Sequence, residues 1–422
     1  MKDKRQLKTY ILNIAKKAKA ASIRLSSASE KSKNFLLFQM AKALCKHREF
    51  LLKENRKDLR KAETSGYSPA FIDRLQLTAK SISEISEGIK KISALCDPVG
   101  EVIKSWHRPN GLYIKKIRVP IGVILVIYES RPNVTADCAA LCLKAGNAVI
   151  LRGGRESFYS NLAIYKIINK TILNSGFILG TVSFITTLDR EAVRELVSLS
   201  DYIDLVIPRG GYSLIKEVTE FSHIPVIKHY MGICHIYVDK RADLNMARNV
   251  CFNAKVQRPA TCNAMETMLV HKDIAAGFLP EMCAMFKKAG VEIRGCRITK
   301  CLIPDIILAK DKDFHTEYLD LILSVKVVGG LDEAVRHITE YGSKHSDGII
   351  TKDKKLADEF VKRIDAACVY VNASTRFTDG FQFGMGAEMG ISTDKIHARG
   401  PMGLEELTSY KYQVYGKGQI RT

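Results

Sequence analysis

A cysteine in the segment Gln257-Arg258-Pro259-Ala260-Thr261-Cys262-Asn263 has the setting of a nucleophile. It falls between a run that predicts a helix over 244–254 and one that predicts a strand over 267–271. Arg258 brings positive charge to the segment, and Pro259 and Thr261 interrupt regular structure, so the turn leaves the sulfur reachable. Most cysteines are small buried hydrophobes; a thiol becomes a nucleophile where nearby positive charge and access favour the thiolate. Of the eleven cysteines, Cys262 is the one with that combination.

Other chemistry finds less support. Arg152-Gly153-Gly154 follows a predicted strand, as does Pro208-Arg209-Gly210-Gly211, and each leads into a helical run. Glycines at such turns let backbone N–H groups and a positive helix end approach an anion, and an adjacent arginine can pair with a phosphate. An ordinary strand-to-helix connection is the other reading of each. No G-x-G-x-x-G fingerprint opens a helix, and Gly384-Met385-Gly386 with Gly390 reads as a flexible loop. Metal ligation is not expected. Cys138 and Cys142 lie one turn apart among apolar neighbours, His229 and His235 flank Gly232 on different pieces, and Asp311 with Asp313 lacks the glycine and glutamate of a calcium loop. No G-x-S-x-G elbow is present for serine chemistry.

The elements that must position the thiol follow from periodicity. Residues 1 to about 95 carry Lys, Glu, Ser and Leu at helical spacing, with a cap expected at Thr78. The first of these helices is amphipathic: Lys2, Lys4, Arg5, Lys8, Lys16 and Lys17 alternate with Leu7, Ile11 and Ile14, without the apolar core of a signal peptide. Pro109-Asn110-Gly111 predicts a hairpin between 100 and 120. The longest apolar stretch, 119–128, is interrupted by Pro120 and Gly122, is too short for a bilayer and reads as a buried strand, placed at 121–128 in the alternation that follows. Strand and helix then alternate to 207, and again from about 236 to 371, which argues for parallel sheets covered by helices on both faces.

A chain of 422 residues that is 46% hydrophobic can hold two or three cores. The odd cysteine count without framework spacing predicts free thiols in a reducing cytoplasm. The net charge of +20 is scattered, with no unbroken basic run and a single tryptophan, Trp106. That distribution argues against nucleic acid and membrane partners and suits steering of acidic substrates or solubility.

Long segments, in order, resemble the gamma-glutamyl phosphate reductases, the proline-biosynthesis branch of the aldehyde dehydrogenase superfamily. They are 118–123 (Arg-Val-Pro-Ile-Gly-Val), 128–134 (Tyr-Glu-Ser-Arg-Pro-Asn-Val), 146–154, 207–211, 234–239, 257–263, 371–380 and 397–405 (His-Ala-Arg-Gly-Pro-Met-Gly-Leu-Glu). The resemblance implies an α/β, aldehyde dehydrogenase-like fold of two Rossmann-like parallel-sheet domains plus a small β oligomerisation element. Residues 1–99 and 121–235 would form the cofactor-binding domain, 236–400 the catalytic domain carrying Cys262, and 100–120 with 401–422 the oligomerisation element.

It also implies a reaction: NADPH-dependent reduction of L-glutamyl 5-phosphate to L-glutamate 5-semialdehyde and phosphate through a Cys262 thioester, with Asn133 and the Cys262 backbone N–H receiving the oxyanion. The cofactor would be held by Arg152, Gly153, Gly154, Pro208, Arg209, Gly210, Gly211 and Glu317. Arg131 and Arg376 are open to two readings, as anchors for the substrate phosphate or carboxylate, or as structural ion pairs. Aldehyde oxidisers of the superfamily carry a water-activating glutamate where this chain aligns His229, a departure that suits a reductase. Lys228, Tyr230 and Met231 depart from the nearer family. A homo-oligomer in the cytoplasm is implied, with handover of the acyl phosphate from glutamate 5-kinase as a further expectation. A relative using another acyl donor is the neighbouring alternative, and a basic nucleic-acid-binding protein with a vestigial site the remote one.

Overall fold

The computed structural model describes residues 4–421 and divides into two compact units. One comprises Met1–Lys228, Gly384–Gly390 and Met402–Thr422; the other comprises His229–Phe383 and Ile391–Pro401.

The first unit opens with helices α1 (Lys4–Leu25), α2 (Glu30–Lys46), α3 (Arg48–Thr64), α4 (Pro69–Leu75) and α5 (Ala79–Ala94). Helix α1 buries Leu7, Ile11, Ala15 and Ala18, one stripe at helical spacing, and leaves its lysines outward; Lys2 and Asp3 lie outside the described residues. Thr78 caps α5 as expected, its hydroxyl accepting from Ser81 N–H in a reciprocal capping box. The hairpin also forms: β1 (Val102–His107) pairs antiparallel with β2 (Tyr113–Pro120) around Gly111, which takes a φ of +87°.

The stretch 119–128 is not one strand. Pro120 ends β2, Gly122 turns the chain at a φ of +132°, and β3 (Val123–Tyr128) begins afterwards. A side chain at Gly122 would be strained at that angle and would run into the Asp204 carboxylate, which accepts from Val123 N–H at 2.8 Å. Two elements are the physical result of a proline without an N–H followed by a position only glycine fills.

From β3 the chain continues through α6 (Asn133–Lys144), β4 (Ala148–Gly153), α7 (Phe158–Asn174), β5 (Val182–Phe184), α8 (Glu191–Val197), β6 (Leu205–Arg209) and α9 (Tyr212–Phe221). The four strands form a parallel sheet in the order β5-β4-β3-β6. Helices on both faces explain why β3 is apolar throughout and wholly buried. The chain moves from β3 to β4 and β5, then returns to the other side of β3. That reversal opens a crevice at the carboxyl ends of the strands, the usual ligand position in open α/β sheets.

The second unit runs β7 (Cys234–Val238), α10 (Leu244–Val256), β8 (Met265–His271), α11 (Lys272–Lys288), β9 (Glu292–Gly295), α12 (Arg297–Leu302), β10 (Ile307–Leu308), α13 (Asp311–Phe314), β11 (Ile322–Val328), α14 (Leu331–Tyr341), β12 (Ser346–Ile350), α15 (Lys354–Arg363) and β13 (Cys368–Val371). Its seven parallel strands lie in the order β10-β9-β11-β8-β7-β12-β13. The two-residue period of β8 sorts Met268 and Val270 into one core with Phe278, Met282 and Phe286, and Leu269 into the other with Tyr237, Ile338 and Phe360. A two-stranded ribbon of β14 (Ile391–Ser392) and β15 (Gly400–Pro401) follows.

The last strand, β16 (Thr408–Tyr415), returns to the first unit and pairs antiparallel with β2, completing the sheet β1-β2-β16. Among the described residues no helix is long and apolar enough to cross a membrane.

Candidate active site

Cys262 sits half-buried in the turn between α10 and β8, with both sides of the turn fastened. Lys255, on the last turn of α10, donates to Glu266 on β8 at 2.7 Å, and both side chains are fully buried. Burial pushes the Glu266 carboxyl up to about 7 and the Lys255 ammonium down, while their mutual attraction opposes both shifts. The pair closes the base of the turn. A guanidinium closes its top: Arg376 Nε donates to Gln257 at 2.9 Å and Nη1 to Thr261 at 3.0 Å, with a further close contact to Asn263 Oδ1. Asn263 in turn donates to Thr378 O at 2.8 Å, and Thr375 donates to Asn263 O at 2.7 Å.

Arg376 therefore ties the thiol turn to segment 374–378. Burial and then neighbouring Arg258 hold its proton affinity down, and interaction with Cys262 raises it again. Arg376 thus sets a guanidinium on the residues either side of Cys262, the kind of positive neighbour that nucleophilic cysteines have. Beneath the turn, Gly232 makes a close backbone approach; a Cβ there would overlap the Cys262 carbonyl. Gly232 is held by its N–H, which donates to Glu317 at 2.8 Å, and the buried Cys234 thiol donates to Cys262 O at 3.2 Å. Burial keeps Cys234 well above the ordinary thiol range, so it is a protonated donor. Glu317, assigned to ribose by the resemblance, here supports the strip on which Cys262 rests.

Two imidazoles complete this cluster. One ligand-bearing atom from each of His229, Cys262 and His345 lies within 4.8 Å of the other two. His229 Nδ1 is 2.9 Å from Ile391 O, and a carbonyl only accepts, so Nδ1 carries the proton there. His345 is fully buried, with Nδ1 2.9 Å from Ser346 Oγ; desolvation, then His229, drives its pKa down to about 3 and keeps it neutral. Its Nε2 is buried without a hydrogen-bond partner. His345 was missed in the sequence, because it lies 83 residues beyond Cys262 at the amino end of a different strand. Its position in Lys344-His345-Ser346-Asp347-Gly348 carries no local signal of chemistry.

In the first unit, Asn133 begins α6, and its amide donates to Asp137 Oδ2 at 2.9 Å, one helical turn on. Asp137 is pushed up to about 6 by desolvation, opposed by the Asn133 hydrogen bond and by Arg209. Ser130, just before this helix, has a positive φ of 50°, and Glu156 fastens it by accepting from its N–H at 2.8 Å and its hydroxyl at 3.1 Å. Arg131 is exposed in the same turn.

The glycine pairs have packing reasons of their own. A Cβ at Gly153 would strike the Asn161 amide, one at Gly154 the Glu156 carboxylate, and one at Gly210 the Glu129 carboxylate. Glu129 also accepts from Gly211 N–H at 2.9 Å, at the start of α9. Pro208 and Arg209 end β6, and the Arg209 guanidinium lies beside Gly390 and Asp137. Arg152 lines the crevice with Arg155 and Arg190, beside Glu129, Glu156 and Glu217. Arg152 Nε is buried without a partner. Three guanidiniums with one donor unspent, at the carboxyl edge of a parallel sheet, suit a phosphate-bearing ligand.

A reachable thiol held beside a guanidinium, on a fold of two parallel sheets and a small antiparallel one, agrees with the family comparison. Residues 5–294 match the aldehyde dehydrogenase family, to which the chain belongs. Within it, the chain is a member of the gamma-glutamyl phosphate reductases. It is 56% identical over 416 residues to the gamma-glutamyl phosphate reductase of Thermodesulfovibrio yellowstonii, covering 99% of this chain and 100% of that one. The Clostridium acetobutylicum protein of the same name is 54% identical over 415 residues, 98% of this chain and 99% of that one. The crystal structure of gamma-glutamyl phosphate reductase from Thermotoga maritima superposes with a TM-score of 0.96 at 48% identity, covering 98% and 100%. An acetylating aldehyde dehydrogenase from Geobacillus thermoglucosidasius, 18% identical with a TM-score of 0.71, shares the fold. The α/β architecture implied by the resemblance is thus the observed one.

Proposed function

We propose that the chain reduces L-glutamyl 5-phosphate to L-glutamate 5-semialdehyde and phosphate in proline biosynthesis, with Cys262 as the nucleophile. The observation that carries the mechanism is the reachable Cys262 turn, fastened by Arg376 and the Lys255–Glu266 pair, with a guanidinium on the residues flanking the thiol. The sulfur attacks the acyl carbon, the bond from that carbon to the phosphate oxygen breaks, and a thioester on Cys262 results. Charge gathers on the former carbonyl oxygen. The Asn133 amide and the Cys262 backbone N–H take it by family resemblance, and Asp137 supports the role by fixing how the amide is turned.

NADPH supplies the hydride that takes the acyl group to the aldehyde. For holding it we assign Arg152, Gly153, Gly154, Pro208, Arg209, Gly210, Gly211 and Glu317, supported by the unspent Arg152 donor and the arginines of the crevice. Arg131 and Arg376 are assigned to the substrate's anionic groups; for Arg376 this is an addition to its hold on the thiol turn. His229 in place of a carboxylate leaves the thioester without the water-activating base of the oxidising relatives. The sheet β1-β2-β16 is the proposed oligomer contact, supported by exposed Tyr410, Tyr412 and Val414 on β16. The lability of an acyl phosphate supports direct handover from a kinase, and we place the enzyme in the cytoplasm.

The test runs the reaction backwards: the semialdehyde and NADP+ should yield NADPH only when phosphate is supplied. Turnover that needs coenzyme A instead would assign a different acyl donor. Absence of turnover at every phosphate concentration would overturn the substrate assignment.

A further inference from the structure

The His229–Cys262–His345 cluster has more ligating capacity than acyl transfer needs. We propose that these three side chains form a reversible site for a soft divalent cation of the Zn2+ class, whose binding occupies the thiol and silences the enzyme.

Thiolate sulfur and imidazole nitrogen are the donors such a cation prefers, and three protein ligands with a fourth open position is the arrangement of exchangeable sites. Bond lengths of about 2.3 Å to sulfur and about 2.0 to 2.1 Å to nitrogen put the ligand atoms of a tetrahedral centre roughly 3.5 Å apart. The three atoms already lie within 4.8 Å of one another, so small side-chain rotations close the set. The surroundings match those of metal-bound imidazoles, which donate their second nitrogen to a carbonyl or hydroxyl. His229 has Ile391 O in that place, and His345 has Ser346 Oγ, which continues to Thr378 Oγ1 at 2.7 Å and from there to Tyr370 OH.

The independent observation is His345 Nε2, a buried ring nitrogen without a hydrogen-bond partner on a residue of this cluster. In the tautomer whose Nδ1–H is donated to Ser346, Nε2 presents a lone pair. On binding, the Cys262 S–H bond breaks, its proton passes to solvent, and a sulfur–metal bond forms; nothing is oxidised or reduced. The half-exposed position of Cys262 and His229 allows entry and release, which separates this site from a closed structural zinc.

Co2+ is the spectroscopic probe. Chelator-treated full-length protein titrated with Co2+ should bind one equivalent and develop a thiolate-to-cobalt charge-transfer absorption, which added Zn2+ should abolish by displacement. Cys262→Ala should lose that absorption. His229→Ala, at a half-buried position where folding is not at stake, should weaken binding at least about tenfold, as should His345→Gln. Zn2+ should inhibit turnover and a chelator restore it. No charge-transfer absorption, or an unchanged affinity in both histidine variants, overturns the proposal. Because binding is read without substrate, a protein that binds Co2+ as described but never turns over would refute the functional reading and leave this site standing.

Discussion

Glu266→Gln should loosen the second unit and the thiol turn together. Lys255 and Glu266 are both fully buried and 2.7 Å apart. Burial pushes each toward its neutral form, Glu266 to about 7, so the intact pair gains little over apolar packing. Half a pair is another matter. Removing one partner leaves an uncompensated buried charge and costs about 3 to 5 kcal/mol, about a fifth or more of an ordinary domain's stability. Replacing both, as in Lys255→Met with Glu266→Leu, should recover most of that loss, and with those same two changes made singly the double-variant cycle should give a coupling of about 2 kcal/mol or more. Urea unfolding followed by circular dichroism is the assay. Trp106, the single tryptophan, lies in β1 of the first unit, so its fluorescence reports that unit and serves as the internal control. Turnover should fall with the single change, because the pair closes the base of the turn that carries Cys262. A single variant within about 1 kcal/mol of wild type, or a double variant no better than the single, would refute the reasoning.

Gly232→Ala should cut kcat by about 100-fold or more, because its methyl displaces the Cys262 backbone and a displacement of about 1 Å is worth that much; a near-normal steady-state kcat would contradict the contact. Asp137 should set an acid limb near pH 6 in the kcat profile, since protonation removes the charge that holds the Asn133 amide, and Asp137→Asn should flatten that limb. Its folded pKa lies above the unfolded one, so ionised Asp137 costs stability above about pH 6, and the cost is relieved as pH falls from 6 toward 4; thermal melts across that range check the sign. Arg152→Ala should raise the KM for NADPH about tenfold or more while changing kcat little, with NADPH binding by fluorescence as the check.

Much of this arrangement was legible in the chain because its signals are local. Period and length distinguish the helices before 95 from the later alternation, and Pro109-Asn110-Gly111 marks its own hairpin. Cys262 stands out through its immediate neighbours. What escaped depends on partners far away in sequence. Nothing near residue 376 announces that its guanidinium closes the turn at 257–263, and nothing around Gly232 shows that it must be bare to admit the Cys262 carbonyl. His229 could be aligned, yet its companion His345 lies just before β12, 116 residues further on. The break within 119–128 is marked locally by Pro120 and Gly122, but the contact that fixes it, Asp204 against Gly122, lies 82 residues on.

The central claim is a covalent acyl-enzyme on Cys262, and mass spectrometry of the protein tests it most directly. L-Glutamyl 5-phosphate is generated in place by glutamate 5-kinase and ATP, NADPH is withheld, and the mixture is quenched in acid. A glutamyl adduct is expected on the peptide carrying Cys262, absent from Cys262→Ala and discharged when NADPH is added before the quench. An unmodified Cys262 peptide under conditions where the same protein turns over with NADPH would contradict it.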